Sequence, residues 1–225
     1  MKKGFSYLGG KYWSEITRDE RTFCADLYMV LQDKDKLRTF TNWLIQECNL
    51  GEIDTSNEIE VGFEVALLRD VLFDYELTNK QKAANKIKIK GALKRTLDLA
   101  IFLPNDIIII EAKAAESITN KQMNDFIKDD KAINLLLSSL ERKSPNIHLV
   151  GLVSGEYKFG AETKKNFNNR IITWNAIENA GIGYNMPEKL KDIYSNTALV
   201  KRSPKFEDKK IVTLVDEIEK LYMKK

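Results

Sequence analysis

Residues 95–113 decide the fold and read Arg-Thr-Leu-Asp-Leu-Ala-Ile-Phe-Leu-Pro-Asn-Asp-Ile-Ile-Ile-Ile-Glu-Ala-Lys. They predict two strands, over residues 96–103 and 107–113, that are joined at a tight turn. Pro104 and Asn105 have turn chemistry, because proline presets φ and asparagine tolerates the corner. The four consecutive isoleucines are typical of a strand buried on both faces, and the run is too short to favour a helix.

Three charged residues interrupt this apolar hairpin: Asp98, Glu111 and Lys113. Side chains alternate along a strand, so Glu111 and Lys113 share one face. A four-residue loop over 103–106 would place Asp98 directly opposite Glu111, with their Cβ atoms about 4.5–5.5 Å apart. A three-residue loop would shift the pairing by one residue and separate the two carboxylates.

Two carboxylates at that distance repel each other in a low dielectric, and unpaired buried charge is costly. A divalent cation between them would remove the conflict, and Mg²⁺ prefers hard oxygen ligands while retaining several waters. Lys113 lies one step beyond Glu111 on the same face, where it could hold or help deprotonate a metal-bound water. The alternative is a plain core β-ribbon with a Glu–Lys pair at its end, since Glu-x-Lys also occurs by chance.

The combination of Asp98 with Glu111-Ala112-Lys113 resembles the signature of the PD-(D/E)xK nuclease superfamily, over roughly residues 57–174. This chain lacks the proline that the family has before the aspartate. The resemblance implies an α/β, restriction-endonuclease-like core, that is, a mixed central sheet flanked by helices. It further implies that Asp98 and Glu111 bind Mg²⁺, for which Mn²⁺ can substitute, and that Lys113 supports the attacking water.

The function that this resemblance implies is a Mg²⁺-dependent DNA endonuclease that hydrolyses phosphodiester bonds. The backbone carbonyl of Ala112 is expected as a further oxygen ligand. One alternative is a catalytically inactive nuclease-fold module that binds nucleic acid or a protein partner. Another is an unrelated α/β protein, in which Asp98 and Glu111 would point to opposite faces.

A further carboxylate on the helix before the strands often completes the site in this family, and the sequence offers two main candidates. Glu60, one turn before Glu64, is a third option that also fits a solvated position. Residues 57–76 predict a helix on which Glu64 shares an apolar stripe with Leu68. A carboxylate on a buried stripe needs a partner, and the resemblance implies that Glu64 points at the metal. Glu20 is the alternative, although it also fits the last position of a capping box that begins at Thr17.

The segment before the hairpin is basic, with no acidic residue between positions 77 and 97. Residues 86–90 alternate lysine with isoleucine, which predicts a strand with one positive face that would attract a phosphate backbone. A solvated edge strand, on which lysines discourage aggregation, is the alternative. We expect nucleic-acid contacts from Lys86, Lys88, Lys90, Lys94, Arg95 and Gln122, the last of which equally fits a solvated first helical turn.

The composition of the 225 residues, 43% hydrophobic and 31% charged, is that of a soluble globular protein. No run of about 18 apolar residues predicts a membrane span, and no signal-peptide pattern opens the chain. Cys24 and Cys48 fall in helical patterns, so we expect reduced, buried thiols and a cytoplasmic location. The single histidine, His148, argues against a multi-histidine zinc site and fits a residue satisfied within a strand.

Three segments organise the chain, and we expect them to form one compact domain. Residues 1–56 predict a helical extension packed on the core, residues 57–180 the nuclease core, and residues 181–225 a helical tail. The tail could pack on the core, bind nucleic acid or form a homodimer, and the sequence does not choose among these. Further periodic segments predict helices over 35–50 and 119–140 and strands over 146–154 and 170–174.

Overall fold

The computed structural model describes residues 5–10, 19–74, 95–113, 120–140, 142–154, 167 and 170–185. Its α-helices are α1 (Asp19–Val30), α2 (Lys34–Glu47), α3 (Leu67–Asp74) and α4 (Asn120–Ser139). Short 3-10 helices cover Ser6–Leu8 and Asn175–Ala180. Its strands are β1 (Glu60–Val65), β2 (Leu97–Phe102), β3 (Asp106–Ala112), β4 (Asn146–Val153) and β5 (Ile171–Thr173).

The described strands form one mixed sheet in the order β1-β2-β3-β4-β5. β2 runs antiparallel to both of its neighbours, whereas β3, β4 and β5 are mutually parallel. Parallel neighbours need a long crossover, and α4 lies between β3 and β4 in the chain. The expected α/β class, a mixed sheet flanked by helices, is therefore confirmed.

The hairpin of β2 and β3 has the predicted register. Phe102 pairs with Ile107, and Leu99 pairs with Ile110, as a four-residue loop requires. The strand boundaries agree with the predicted ones to within one residue at each end. Every residue of β3 is buried, which accounts for its unbroken apolar run.

Two apolar clusters cover the two faces of this hairpin. Ile108 and Ile110 pack with Phe23 of α1 and with the inward side of α2. Ile107 and Ile109 pack on the opposite face with Phe126 of α4. Full burial of such a side chain contributes about 1.5–3 kcal/mol, so the isoleucine run secures both layers to the sheet.

The helix predicted over residues 57–76 is wrong in its first half. Residues 60–65 are β1, at one edge of the described sheet, and the helix α3 starts only at Leu67. Ile59, Val61, Phe63 and Val65 alternate with other residues, and this period of two prevails over the helical spacing. Glu64 is therefore positioned by a strand.

β1 is distorted at Glu64, which has a φ of +50°. Residues other than glycine rarely adopt this left-handed region. The pairs Phe63–Leu99 and Val65–Leu97 continue on either side, so the register passes through the distortion. Gly62 accommodates it, because a Cβ atom at this position would collide with the side chain of Val65.

The two cysteines, Cys24 and Cys48, are buried free thiols, as predicted. No helix in the described ranges is long and apolar enough to cross a membrane. Ile182 and Tyr184 belong to the same apolar cluster as α1 and α2, so the main core extends beyond position 180. Thr17 and most of the predicted tail lie outside the described residues.

We predict that Gly62→Ala lowers the free energy of unfolding by about 1–3 kcal/mol, because the added methyl group meets Val65 in a packed region. Urea denaturation would measure this change. In the double variant Gly62→Ala/Val65→Ala the collision is relieved, so its loss should be smaller than the sum of the two single losses. Wild-type stability of Gly62→Ala would contradict the proposed close approach.

Candidate active site

One edge of the sheet, formed by the ends of β1 and β3 and the start of β2, carries the charged side chains that the sequence predicts for the site. β2 runs antiparallel to β1 and β3, so its beginning lies beside their ends. Glu64 lies near the end of β1, Asp98 near the start of β2, and Glu111 near the end of β3. Lys113 follows β3, and Glu20 reaches it from α1. The structure thus brings together the predicted residues Asp98, Glu111 and Lys113 with both candidates for the further carboxylate.

Asp98 and Glu111 meet in the way that the four-residue loop requires. The ladder pairs extend to Leu99 and Ile110, and one further step places Asp98 opposite Glu111. The two side chains share a hydrogen bond, and the Asp98 carboxylate also accepts the backbone N–H of Ala112 at 2.8 Å. The alternative in which Asp98 and Glu111 point to opposite faces is therefore wrong.

Both carboxyl groups of this pair favour protonation. Burial raises the pKa of Glu111 to about 7, with repulsion from Asp98 acting in the same direction. Burial also raises the pKa of Asp98, although Lys113 and the Ala112 N–H favour its ionised form. Like charges at this distance in a low dielectric are costly, so the metal-free pair holds a proton close to neutral pH.

The Lys113 ammonium is enclosed by oxygen atoms. Its Nζ lies 2.8 Å from the Ala112 carbonyl, 2.9 Å from Glu20 Oε1 and 3.1 Å from Glu111 Oε1, which matches its three donors. Burial acts to lower the pKa of Lys113, but the neighbouring carboxylates outweigh it and raise that pKa above its usual value. Lys113 is therefore charged at neutral pH, so in this arrangement it donates hydrogen bonds and does not act as a base.

The backbone of Lys113 is held on two sides. Its N–H donates to the Leu152 carbonyl at 2.7 Å, and its carbonyl accepts from Trp174 Nε1 at 3.2 Å. Trp174 is fully buried and packs edge-on against Phe23 of α1. Sequence reasoning missed this role of Trp174. The available signal was a tryptophan directly after a short strand, since a buried indole N–H needs an acceptor.

The two candidate carboxylates make different contacts. Glu20 binds Lys113, whereas Glu64 forms an ion pair with Arg21 of α1. Glu64 lies between the residues that pair with Leu97 and Leu99, and its charge raises the pKa of Asp98. The sequence had posed Glu20 and Glu64 as alternatives for one position, and it gave no signal for Arg21.

The structure describes only some of the residues that are predicted to contact nucleic acid. Lys86, Lys88, Lys90 and Lys94 lie outside the described residues, and Gln122 lies in the first turn of α4, with its side chain also outside them. Arg95 forms an ion pair with the buried Asp129 at 2.9 Å, and its guanidinium lies 4.2 Å from the ring centroid of Phe126. Arg95 thus ties the segment before Asp98 to α4.

The comparisons with known proteins add no identification. No protein-family model matches the chain, and no curated protein or solved structure matches it. Any functional interpretation therefore rests on the geometry of this chain alone.

The donor set at this edge fits a hard divalent cation. Within the described ranges, no three or more histidine, cysteine or carboxylate side chains form a ready metal-binding group. Mg²⁺, however, is commonly bound by only one or two carboxylates together with waters and substrate phosphates. Asp98 and Glu111 supply two opposed carboxyl groups whose mutual repulsion a cation would relieve, and the Ala112 carbonyl shares the Lys113 ammonium with Glu111.

We predict that the metal-free protein loses stability as the pH rises through the folded-state pKa of Glu111. That pKa is about 7, above the ordinary value of 4.5, so the folded state retains a proton that the unfolded chain releases. The resulting stabilisation is complete below about pH 4.5 and is lost by about pH 8, a change on the order of 3 kcal/mol. Urea denaturation at several pH values in EDTA would measure it. Glu111→Gln should flatten the dependence, and an equal slope in both proteins would contradict this assignment.

Proposed function

We propose that this chain is a Mg²⁺-dependent DNA endonuclease of the PD-(D/E)xK type. The observation that carries the proposal is the convergence of Asp98, Glu111 and Lys113 at one sheet edge. The element order α2, β1, β2, β3, α4, β4 supports the proposal, with α3 added between β1 and β2 and with α2 taken from the segment that is predicted to be an extension of the core. The finer assignment to the restriction-endonuclease-like fold is part of this proposal.

In this proposal Asp98 and Glu111 would hold the metal ion, and the Ala112 carbonyl, which now accepts from Lys113 Nζ, is a further candidate ligand. The ion would supply Lewis-acid activation of the phosphate and of a water molecule. The protein itself fixes the two carboxyl groups, because Asp98 is held by the Ala112 N–H and Glu111 by Lys113. Such preorganisation removes the cost of orienting ligands during the reaction.

Lys113 acts as a fixed positive charge. Its ammonium would donate to a water molecule or to a phosphate oxygen by exchanging one of its three present acceptors, since both accept hydrogen bonds from an ammonium group. Glu20 orients it through the 2.9 Å contact, and the Trp174 and Leu152 hydrogen bonds fix its backbone. Glu20 is accordingly assigned a positioning role through Lys113.

A second candidate function is an inactive nuclease-fold module that binds nucleic acid or a protein partner. The observation that favours it is the closed arrangement around Lys113, whose three donors are engaged and whose side chain is only 6% exposed. Such an ion-pair network could serve stability alone. Catalysis and metal binding distinguish the two functions, because the inactive module requires neither.

We predict that wild-type protein cleaves DNA with Mg²⁺ or Mn²⁺ and that Asp98→Asn and Lys113→Ala each reduce the rate on the order of 10²-fold or more. Asparagine keeps the acceptor for the Ala112 N–H, so Asp98→Asn should remain folded. The assay uses plasmid, linear, branched and single-stranded DNA, with Asp130→Ala on the exposed side of α4 as control. Cleavage by Asp98→Asn at the wild-type rate would contradict the assigned role.

We also predict that Mg²⁺ or Mn²⁺ binding releases a proton and tightens about tenfold between pH 6 and pH 8. The cause is the proton that Asp98 and Glu111 share, which must leave before both can act as ligands. Calorimetric titration in two buffers of different ionisation enthalpy would count the released protons. Absence of binding would favour the inactive module, and binding without pH dependence would contradict the shared proton.

A further inference from the structure

The charges at this edge differ in their access to solvent. Lys113 is nearly buried among carboxylates, whereas the side chain of Arg21 is 50% exposed. Among the described residues that contact the carboxylates of this edge, Arg21 is the cation that an incoming polyanion would reach first. It lies in the first turn of α1, directly after Glu20, which contacts Lys113.

Glu64 holds Arg21 through one part of the guanidinium. The closest contact joins Oε1 of Glu64 to Nε of Arg21, while half of the Arg21 side chain is exposed. A guanidinium carries five N–H donors in a rigid fork, and this fork matches the oxygens of a phosphate. Glu64 thus orients Arg21, and the exposed part of its side chain faces solvent, where a phosphate can reach it.

Stability alone does not explain the ion pair between Arg21 and Glu64. The side chains of Arg21 and Glu64 are 50% and 32% exposed, and ion pairs that are open to solvent contribute little to stability. Glu64 also adopts the left-handed backbone region, which is unfavourable for a residue other than glycine. A strained residue whose ion pair adds little stability is better explained by a positioning role next to Asp98.

We propose that Arg21 binds a phosphodiester group of the DNA beside the one that is cut, and that Glu64 is the residue that positions Arg21. This inference rests on the proposed function and deepens it, because it assigns the residue that recognises the backbone of the substrate. Glu64 then acts through Arg21, whereas Asp98 and Glu111 hold the metal.

The test measures DNA binding by fluorescence anisotropy in Ca²⁺, over a range of salt concentrations. Arg21→Ala should weaken binding about 5- to 20-fold and reduce the slope of log K against log salt by about one, as loss of a phosphate contact predicts. Arg21→Lys keeps the charge without the fork, so its affinity for DNA should lie between those of the wild-type protein and Arg21→Ala. Arg69→Ala is the matched control, since Arg69 is a comparably exposed arginine paired with Asp70 on α3.

The role of Glu64 is tested by coupling. Glu64→Gln should weaken binding less than Arg21→Ala does, and the double variant should bind no worse than Arg21→Ala alone. In cleavage assays Arg21→Ala should raise KM with little change in kcat. A purely structural role would instead lower thermal stability and leave the salt slope unchanged.

The outcomes separate this proposal from the proposed function. Wild-type affinity and salt slope in Arg21→Ala, or equal losses in Arg69→Ala, would overturn the role of Arg21, even if the wild-type protein cleaves DNA. If the wild-type protein binds DNA without cleaving it, the endonuclease proposal fails, and the salt slope still decides the role of Arg21. If it binds no DNA, both proposals are overturned.

Discussion

The site depends on one unfavourable contact, the approach of Asp98 to Glu111 across β2 and β3. Two buried carboxyl groups cannot both be ionised at this distance without a compensating charge, so the pair holds a proton and attracts the ammonium of Lys113. Glu20, Trp174 and the end of β4 then fix Lys113. The arrangement at this edge is thus a response to two acids that the strand register forces together.

Much of this could be predicted from the hairpin alone. The turn residues set the loop length, the loop length sets the register, and the register places Asp98 opposite Glu111. The isoleucine run indicates that β3 is buried on both faces, because an unbroken apolar strand suits a position between two layers. These are local properties, so a single sequence contains them.

His148, which lies 2.9 Å from Asp106 at the other end of β3, is likewise a satisfied residue, as expected.

The errors and omissions concern contacts between distant parts of the chain. Residues 57–76 contain both a helical and an alternating pattern, and only the pairing of β1 with β2 decides between them. Glu20 is 93 residues from Lys113 in sequence, so spacing could not reveal their hydrogen bond. The same limit applies to Arg21 and Trp174. The sequence predicts that a helix brings Glu64 to the site, whereas in the structure a distorted strand carries it there.

The most direct test of the central claim is an anomalous difference map from crystals of the protein grown with Mn²⁺. The account predicts a peak between the carboxyl groups of Asp98 and Glu111, together with loss of that peak in Glu111→Gln. The account would be contradicted if the map showed no peak between Asp98 and Glu111 and if the two side chains were still hydrogen-bonded to each other in the presence of Mn²⁺. That result would leave the paired acids and Lys113 as a structural ion-pair network.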